Sequence, residues 1–156
     1  MAKRDCTDKL FCCADVFHAL KNVETPGVTS MPWPRGGAGE IGPYQILPGY
    51  WQDAFLLDLR RPRLPIPSPA NCPGCGGTVL YPWLEDDALG GIPLSEEVIC
   101  RYMNRYARAE KSRLQACRGT IADVEKVLRI HNGGPKGYTR NSTIPYWTKA
   151  KRILGC

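Results

Sequence analysis

Of the 30 glycines and prolines in this 156-residue chain, 22 lie in two windows, residues 26–48 and 60–94. Proline fixes φ and lacks an N–H, and glycine loses more backbone freedom than any other residue when ordered. Neither window can therefore hold a long helix or a central strand. The first, with Pro32-Trp-Pro34-Arg-Gly-Gly-Ala-Gly39, leaves room for a shaped loop or a short hairpin. The second alternates Pro62, Pro65, Pro67 and Pro69 with apolar residues, passes Cys72-Pro-Gly-Cys75 and reaches Glu85-Asp86-Asp87. It reads as an extended insertion at about 60–94 that lies against a partner surface.

Helical periodicity occupies the rest. Leu10, Phe11, Ala14, Phe17 and Leu20 recur at helical spacing after Thr7 or Asp8 as cap, and Pro26 ends the pattern, which predicts a helix over 8–23. Tyr50–Leu59 reads as a short buried helix with Pro48 near its first turn. Ser95 followed by Glu96 and Glu97 reads as a cap with acids in the first turn, and Val98, Ile99, Tyr102, Met103 and Tyr106 form the stripe behind it. That pattern continues or restarts through Leu114 until Gly119. Thr120 and Asp123 have capping-box spacing ahead of Ile121, Val124, Val127 and Leu128, with Gly133 as terminator. Thr143 and Pro145 open a last helix that turns Tyr146, Trp147, Ala150, Ile153 and Leu154 inward and stops at Gly155. The length predicts one domain over 1–156 with its own core, and the pattern predicts an α+β, mainly helical class with a short irregular or β region.

Charge is unevenly placed. Residues 100–156 carry 13 Lys/Arg against 3 Asp/Glu, whereas residues 1–99 carry 8 against 12. Arg101, Arg105 and Arg108 on one helix, with Lys149, Lys151 and Arg152 near the end, form the expected partner-facing surface; a solvated helix face or a phosphate-backbone site is the competing reading. No run of about 20 apolar residues is present, so no membrane span is expected. Met1 runs straight into a charged, amphipathic stretch without the apolar core of a leader, so the expected location is the cytoplasm and the expected state of the eight cysteines is the reduced thiol. Cys72-x-x-Cys75 supplies half a zinc tetrahedron, or a redox turn, and lacks a second pair, so neither a metal nor another cofactor is expected.

Several segments, in this order, resemble the invertebrate-type lysozymes (the destabilase family): Gly42-Pro-Tyr-Gln-Ile46 with Tyr50-Trp-Gln-Asp53, then Tyr102-Met-Asn-Arg-Tyr106, then His131-Asn-Gly-Gly-Pro-Lys-Gly137 with Ser142-Thr-Ile-Pro-Tyr-Trp147 and Gly155-Cys156. The resemblance covers about residues 20–58 and 95–156. It implies a lysozyme-like fold around a sugar-binding cleft, in which a Glu ending the first helix is the general acid and an Asp a dozen residues later is the second carboxylate. Glu24 matches the acid. Arg35 stands at the Asp position, seven residues before Gly42, where a cation repels the developing sugar cation. The Ser and Lys thought to cleave isopeptide bonds in some members fall on Ala38 and Leu47, and Glu40 lies at the wrong end of the loop to replace the Asp. The family's cysteine frame is also broken, with Ala19, Lys21 and Tyr138 at cysteine positions and Cys156 retained.

These residues lead to a degenerate family member in which Glu24 is vestigial, serving as a non-catalytic scaffold in a large intracellular assembly. The first candidate partner is the acidic tubulin lattice of cilia or flagella, and a ribosome-type particle is the second. The rival readings are an active muramidase or isopeptidase using Glu24, and a glycan-binding module in which Trp33 or Trp51 stacks on sugars. Tyr50-Trp51 and Tyr146-Trp147 are expected to be core, and His131 to serve a structural hydrogen bond.

Overall fold

The computed structural model describes residues 6–29, 33–34, 36–40, 42–55 and 91–156. Helices α1 (Cys13–Glu24), α2 (Pro48–Phe55), α3 (Gly91–Tyr106), α4 (Arg108–Gln115), α5 (Ile121–Gly133) and α6 (Ile144–Ile153) follow in that order, with 3₁₀ turns at Gly137–Thr139 and Asn141–Thr143 leading into α6. The mainly helical class predicted from periodicity is the class observed. Among the described residues the β component is one isolated antiparallel bridge, Phe11 to Gly119. No described helix is long and apolar enough to cross a membrane. Most of the 60–94 insertion, including Cys72 and Cys75, and also Arg35, lies outside the described residues.

Two compact units are present, one built from residues 1–23 and 103–156 and the other from 24–102. In the first, α5 is the organiser. Its Thr120 Oγ1 accepts from the Asp123 N–H, and Asp123 Oδ2 accepts from the Thr120 N–H at 2.9 Å, the reciprocal cap expected from the spacing. Val124, Val127, Leu128 and Ile130 are buried along it, as are Leu114 of α4 and Trp147 and Ala150 of α6. Two ion pairs tie α4 to α5: Glu110 to Lys126 Nζ at 2.5 Å and Asp123 to Arg113 at 2.6 Å. The helix runs through Gly133, one residue past the expected stop, because the left-handed φ of 78° that ends it belongs to Gly134.

Helix α4 ends with Cys117 at φ 52°, its N–H bonded to Leu114 O and that of Arg118 to Arg113 O. This is a Schellman turn with cysteine in the position glycine usually takes. The same cysteine is bonded to Cys12, and Cys6 is bonded to Cys156. These disulfides overturn the expected reduced state. That expectation was argued from compartment alone, whereas the fold brings residues 105 and 150 positions apart in sequence to Cα separations of 4.1 and 5.6 Å. Cys13 is not bridged. Close packing beside Cys117 depends on Gly119, where a Cβ would run into the Leu114 side chain and Phe11 O.

Three helix starts differ from the periodicity reading, those of α1, α2 and α3, with α2 opening at Pro48 rather than Tyr50. Helix α1 opens at Cys13 rather than residue 8, with Asp15 Oδ2 accepting from the Cys12 N–H at 2.7 Å, because Phe11 is held extended by its bridge to Gly119. Leu10 and Ala14, expected inward, are exposed. Helix α3 opens at Gly91, so Ser95 lies fully buried inside it rather than capping it; Pro93 is tolerated because first-turn N–H groups need no helical partner. Thr143 precedes α6 but makes no cap hydrogen bond. Its buried hydroxyl accepts from Arg129 Nε at 2.8 Å and faces the Gly137 and Arg140 carbonyls, each at 2.8 Å. In the second unit Trp33, Tyr44, Ile46, Ala54, Val98, Ile99 and Tyr102 are buried.

Candidate functional site

Glu24 is the last residue of α1 and is half-buried. Pro26 turns the chain away immediately afterwards, and Thr25 anchors that turn: its buried hydroxyl donates to Pro43 O at 2.9 Å, clamping the end of the helix to the Gly42–Ile46 segment. In that segment Gln45 sits at φ 48° and donates through Nε2 to Pro34 O at 2.5 Å and Gly42 O at 3.0 Å. Tyr44 is buried and donates its hydroxyl to Glu96 Oε1 of α3 at 2.6 Å. Burial, and then this bond to a carboxylate, push the Tyr44 hydroxyl well above the ordinary phenol range.

Tyr50 of α2 lies flat on Tyr102 of α3, with ring centroids 3.7 Å apart and planes 12° from parallel. Burial of its hydroxyl, followed by the charges of Tyr102, Cys100 and Glu24, raises the Tyr50 pKa well above its usual value. Glu24 thus lies near enough to the stacked Tyr50–Tyr102 pair for its charge to be felt at the Tyr50 hydroxyl. Sequence reasoning put Tyr50 and Tyr102 in the core and did not link them to Glu24. The linking signal is tertiary, since α2 and α3 are separated by the 60–94 insertion.

Glu40 folds back into its own loop. Its Oε2 accepts from the Ala38 N–H at 3.0 Å and its carbonyl from the Gly36 N–H at 2.9 Å, and a Cβ at Gly36 would collide with its carboxylate. The carboxylate thus acts as a loop clasp. Ala38 and Leu47 are exposed, and neither carries a nucleophile or an amine. Trp33 is buried, which fits packing rather than sugar stacking, while the side chain of Trp51 lies outside the description.

The six predicted basic residues lie on three helices, α3, α4 and α6. Arg101 donates through Nε and Nη2 to Glu97 Oε1, one turn back on α3, at 3.0 and 2.8 Å. The guanidinium of Arg105 lies over the Tyr106 ring at 5.2 Å. Arg108 is exposed at the start of α4. Lys149, Lys151 and Arg152 are exposed on α6, and Lys151 and Arg152 line a hollow of about 130 Å³ with Thr148 and Cys156. Further cations were missed as a group: Lys136 and Arg140 are exposed on the turns before α6, close in sequence to the exposed ring of Tyr138. His131 is buried near the end of α5. Among the described residues no group of three His, Cys, Asp or Glu side chains is placed to hold a metal ion.

No protein-family model matches the chain. It is 42% identical to a lysozyme of Meretrix lusoria over 55 residues, which is 35% of this chain and 38% of that protein. It is 34% identical to an invertebrate-type lysozyme of Ruditapes philippinarum over 65 residues, 42% of each. The chain spans about two fifths of the length of these curated relatives. Among solved structures, inhibitor-bound Meretrix lusoria lysozyme superposes with a TM-score of 0.56 at 24% identity, covering 93% of each chain. The Tapes japonica lysozyme gives 0.53 at 22% identity, covering 87% of this chain and 85% of that one. At these identities the structural likeness establishes the fold.

Proposed function

We propose that this chain, a relative of the invertebrate-type lysozymes, does not cleave glycosidic bonds and serves as a structural protein that docks through its cationic C-terminal third onto an acidic partner. The observation that carries the reading is the fate of the carboxylates around Glu24. The position expected to supply the second one is Arg35, and Glu40, the acid nearest to it in sequence, is clasped by the Ala38 N–H. Two carboxyl groups at a set separation are what either glycosidase stereochemistry requires, so a chain with an arginine at the second acid's position in sequence leaves the reaction without its nucleophile or base. Turnover of purified bacterial cell wall tests this. No turnover is expected from the native chain, and turnover that disappears in Glu24→Gln would overturn the proposal. Arg35→Asp is expected to move the chain towards cleavage.

One feature favours the hydrolase reading: Glu24 ends α1 half-buried, near enough to Tyr50 for its charge to act on that hydroxyl. The same turnover assay decides between the two. For the partner, a tubulin lattice and a ribosome-type particle remain the candidates drawn from charge, but both belong to reducing surroundings where the Cys6–Cys156 and Cys12–Cys117 bridges would open. Co-sedimentation with microtubules, measured with and without reductant, tests the tubulin proposal; absence of binding in both states removes it.

A further inference from the structure

Beyond Glu125 the chain has no acidic residue, yet it carries seven Lys/Arg. All three carboxylates of residues 100–156 are consumed internally: Glu110 by Lys126 and Arg113, Asp123 by Arg113, and Glu125 by Arg129. Lys136, Arg140, Lys149, Lys151 and Arg152 are exposed, and none has a carboxylate partner among the described residues. Arg140 spends one N–H on the Gly133 carbonyl at 3.2 Å. Inside α6, Trp147, Ala150 and Leu154 face the core, while Lys149, Lys151 and Arg152 are exposed. The turns that carry Lys136 and Arg140 pack on α5 and lead directly into this helix. Between those cations stands Tyr138, 42% exposed, an aromatic ring with Lys126 and Arg129 at 5.9 and 5.4 Å from its centroid.

We infer that the turns at 136–140 and the outer face of α6 form a binding surface for an anionic glycan, a chain of sugar rings bearing sulfate or carboxylate groups. This rests on the cationic docking surface proposed above and names the chemistry of its occupant. Repeated anionic groups match several exposed lysines and arginines that have no carboxylate partner among the described residues, and the apolar face of a sugar ring matches an exposed tyrosine. The two disulfides choose among polyanions. Bridges of this kind persist in oxidising surroundings, where the abundant polyanions are glycans rather than nucleic acid or tubulin.

The test is binding of the full chain, disulfides intact, to a sulfated octasaccharide of the heparin type, to a 20-nucleotide RNA and to poly-glutamate, over a range of salt concentrations. Expected are tightest binding to the octasaccharide and a negative slope of log affinity against log salt. Lys149→Gln/Lys151→Gln/Arg152→Gln is expected to reduce that slope by about three, one per neutralised contact. Tyr138→Ala is expected to weaken octasaccharide binding while leaving the slope unchanged. All of these side chains are exposed, and matching thermal melts keep folding out of the comparison. Tighter binding to RNA or poly-glutamate, or a triple variant with native affinity and slope, overturns the inference. Preference for poly-glutamate would leave the non-cleaving, acid-docking reading standing, whereas cell-wall turnover lost in Glu24→Gln would sink that reading and leave glycan binding untouched.

Discussion

Arg129 shows how much one side chain can carry. It is 8% exposed, and its guanidinium reaches Thr143 Oγ1, Glu125 Oε1 and the Arg140 carbonyl at 2.8, 2.8 and 2.9 Å. The turn from 134 to 143 is built around it, and Gly137 is required there because a Cβ would meet the Arg129 carbonyl. Arg129→Met removes these three hydrogen bonds and leaves Glu125 without its partner, and is expected to cost about 3 kcal/mol in chemical denaturation, against about 1 kcal/mol for Thr143→Val. Two titrations follow from single residues. Asp123 is held below the ordinary carboxylate range by Arg113, with burial opposing and the Thr120 N–H assisting. Its folded pKa is depressed, so the stability it confers is complete above the unfolded value of about 3.9 and is lost as pH falls through the folded one. Acid unfolding should therefore flatten in Asp123→Asn. Tyr44 and Tyr50 are raised, so neutrality stabilises the fold up to the unfolded value of about 10, and that contribution is lost as pH climbs further. Absorbance at 295 nm should show both ionising only together with alkaline unfolding, and early ionisation of either would contradict their placement.

Helix ends were legible wherever the signal was local. The Thr120/Asp123 box and the Gly155 stop of α6 both depend on residues within one turn, and both are present, with Cys156 N–H bonded to Lys151 O and Gly155 N–H to Arg152 O. Thr120→Ala is expected to cost about 1 kcal/mol, read from the shift in denaturation midpoint at unchanged slope. Starts set by distant contacts were misread. Phe11 has the periodicity of a helical residue, but its backbone pairs with Gly119, more than a hundred residues away, so α1 begins after it. Ser95 has the chemistry of a cap but is packed inside α3. Thr143 likewise turns from capping α6 to closing the Arg129 turn, because a buried guanidinium is a stronger claim on its hydroxyl than a helix N–H open to water.

For the whole molecule, the two disulfides close the N-terminal segment onto residues 117 and 156. A loop of about a hundred residues is worth roughly 4.7 kcal/mol of unfolded-state entropy in the chain model, and removing such a bridge typically costs about 2–5 kcal/mol. Cys12→Ala/Cys117→Ala should lower the melting temperature markedly, while reductant should then add only the effect of Cys6–Cys156. A melt unmoved by either would mean that the bridges constrain nothing. The amino-acid order by itself determined the helical class and the cationic C-terminal third. Those follow from periodicity, propensity and charge, which act over a few residues or simply add along the chain. Only the tertiary structure decided which cysteines are bonded, that Glu40 is spent as a clasp, that Tyr50 meets Tyr102 beside Glu24, and which cations keep no internal partner. Apart from the Glu40 clasp, which closes within its own loop, these are matters of groups far apart in sequence, and no local rule ranks one distant pairing above another until packing brings the two together.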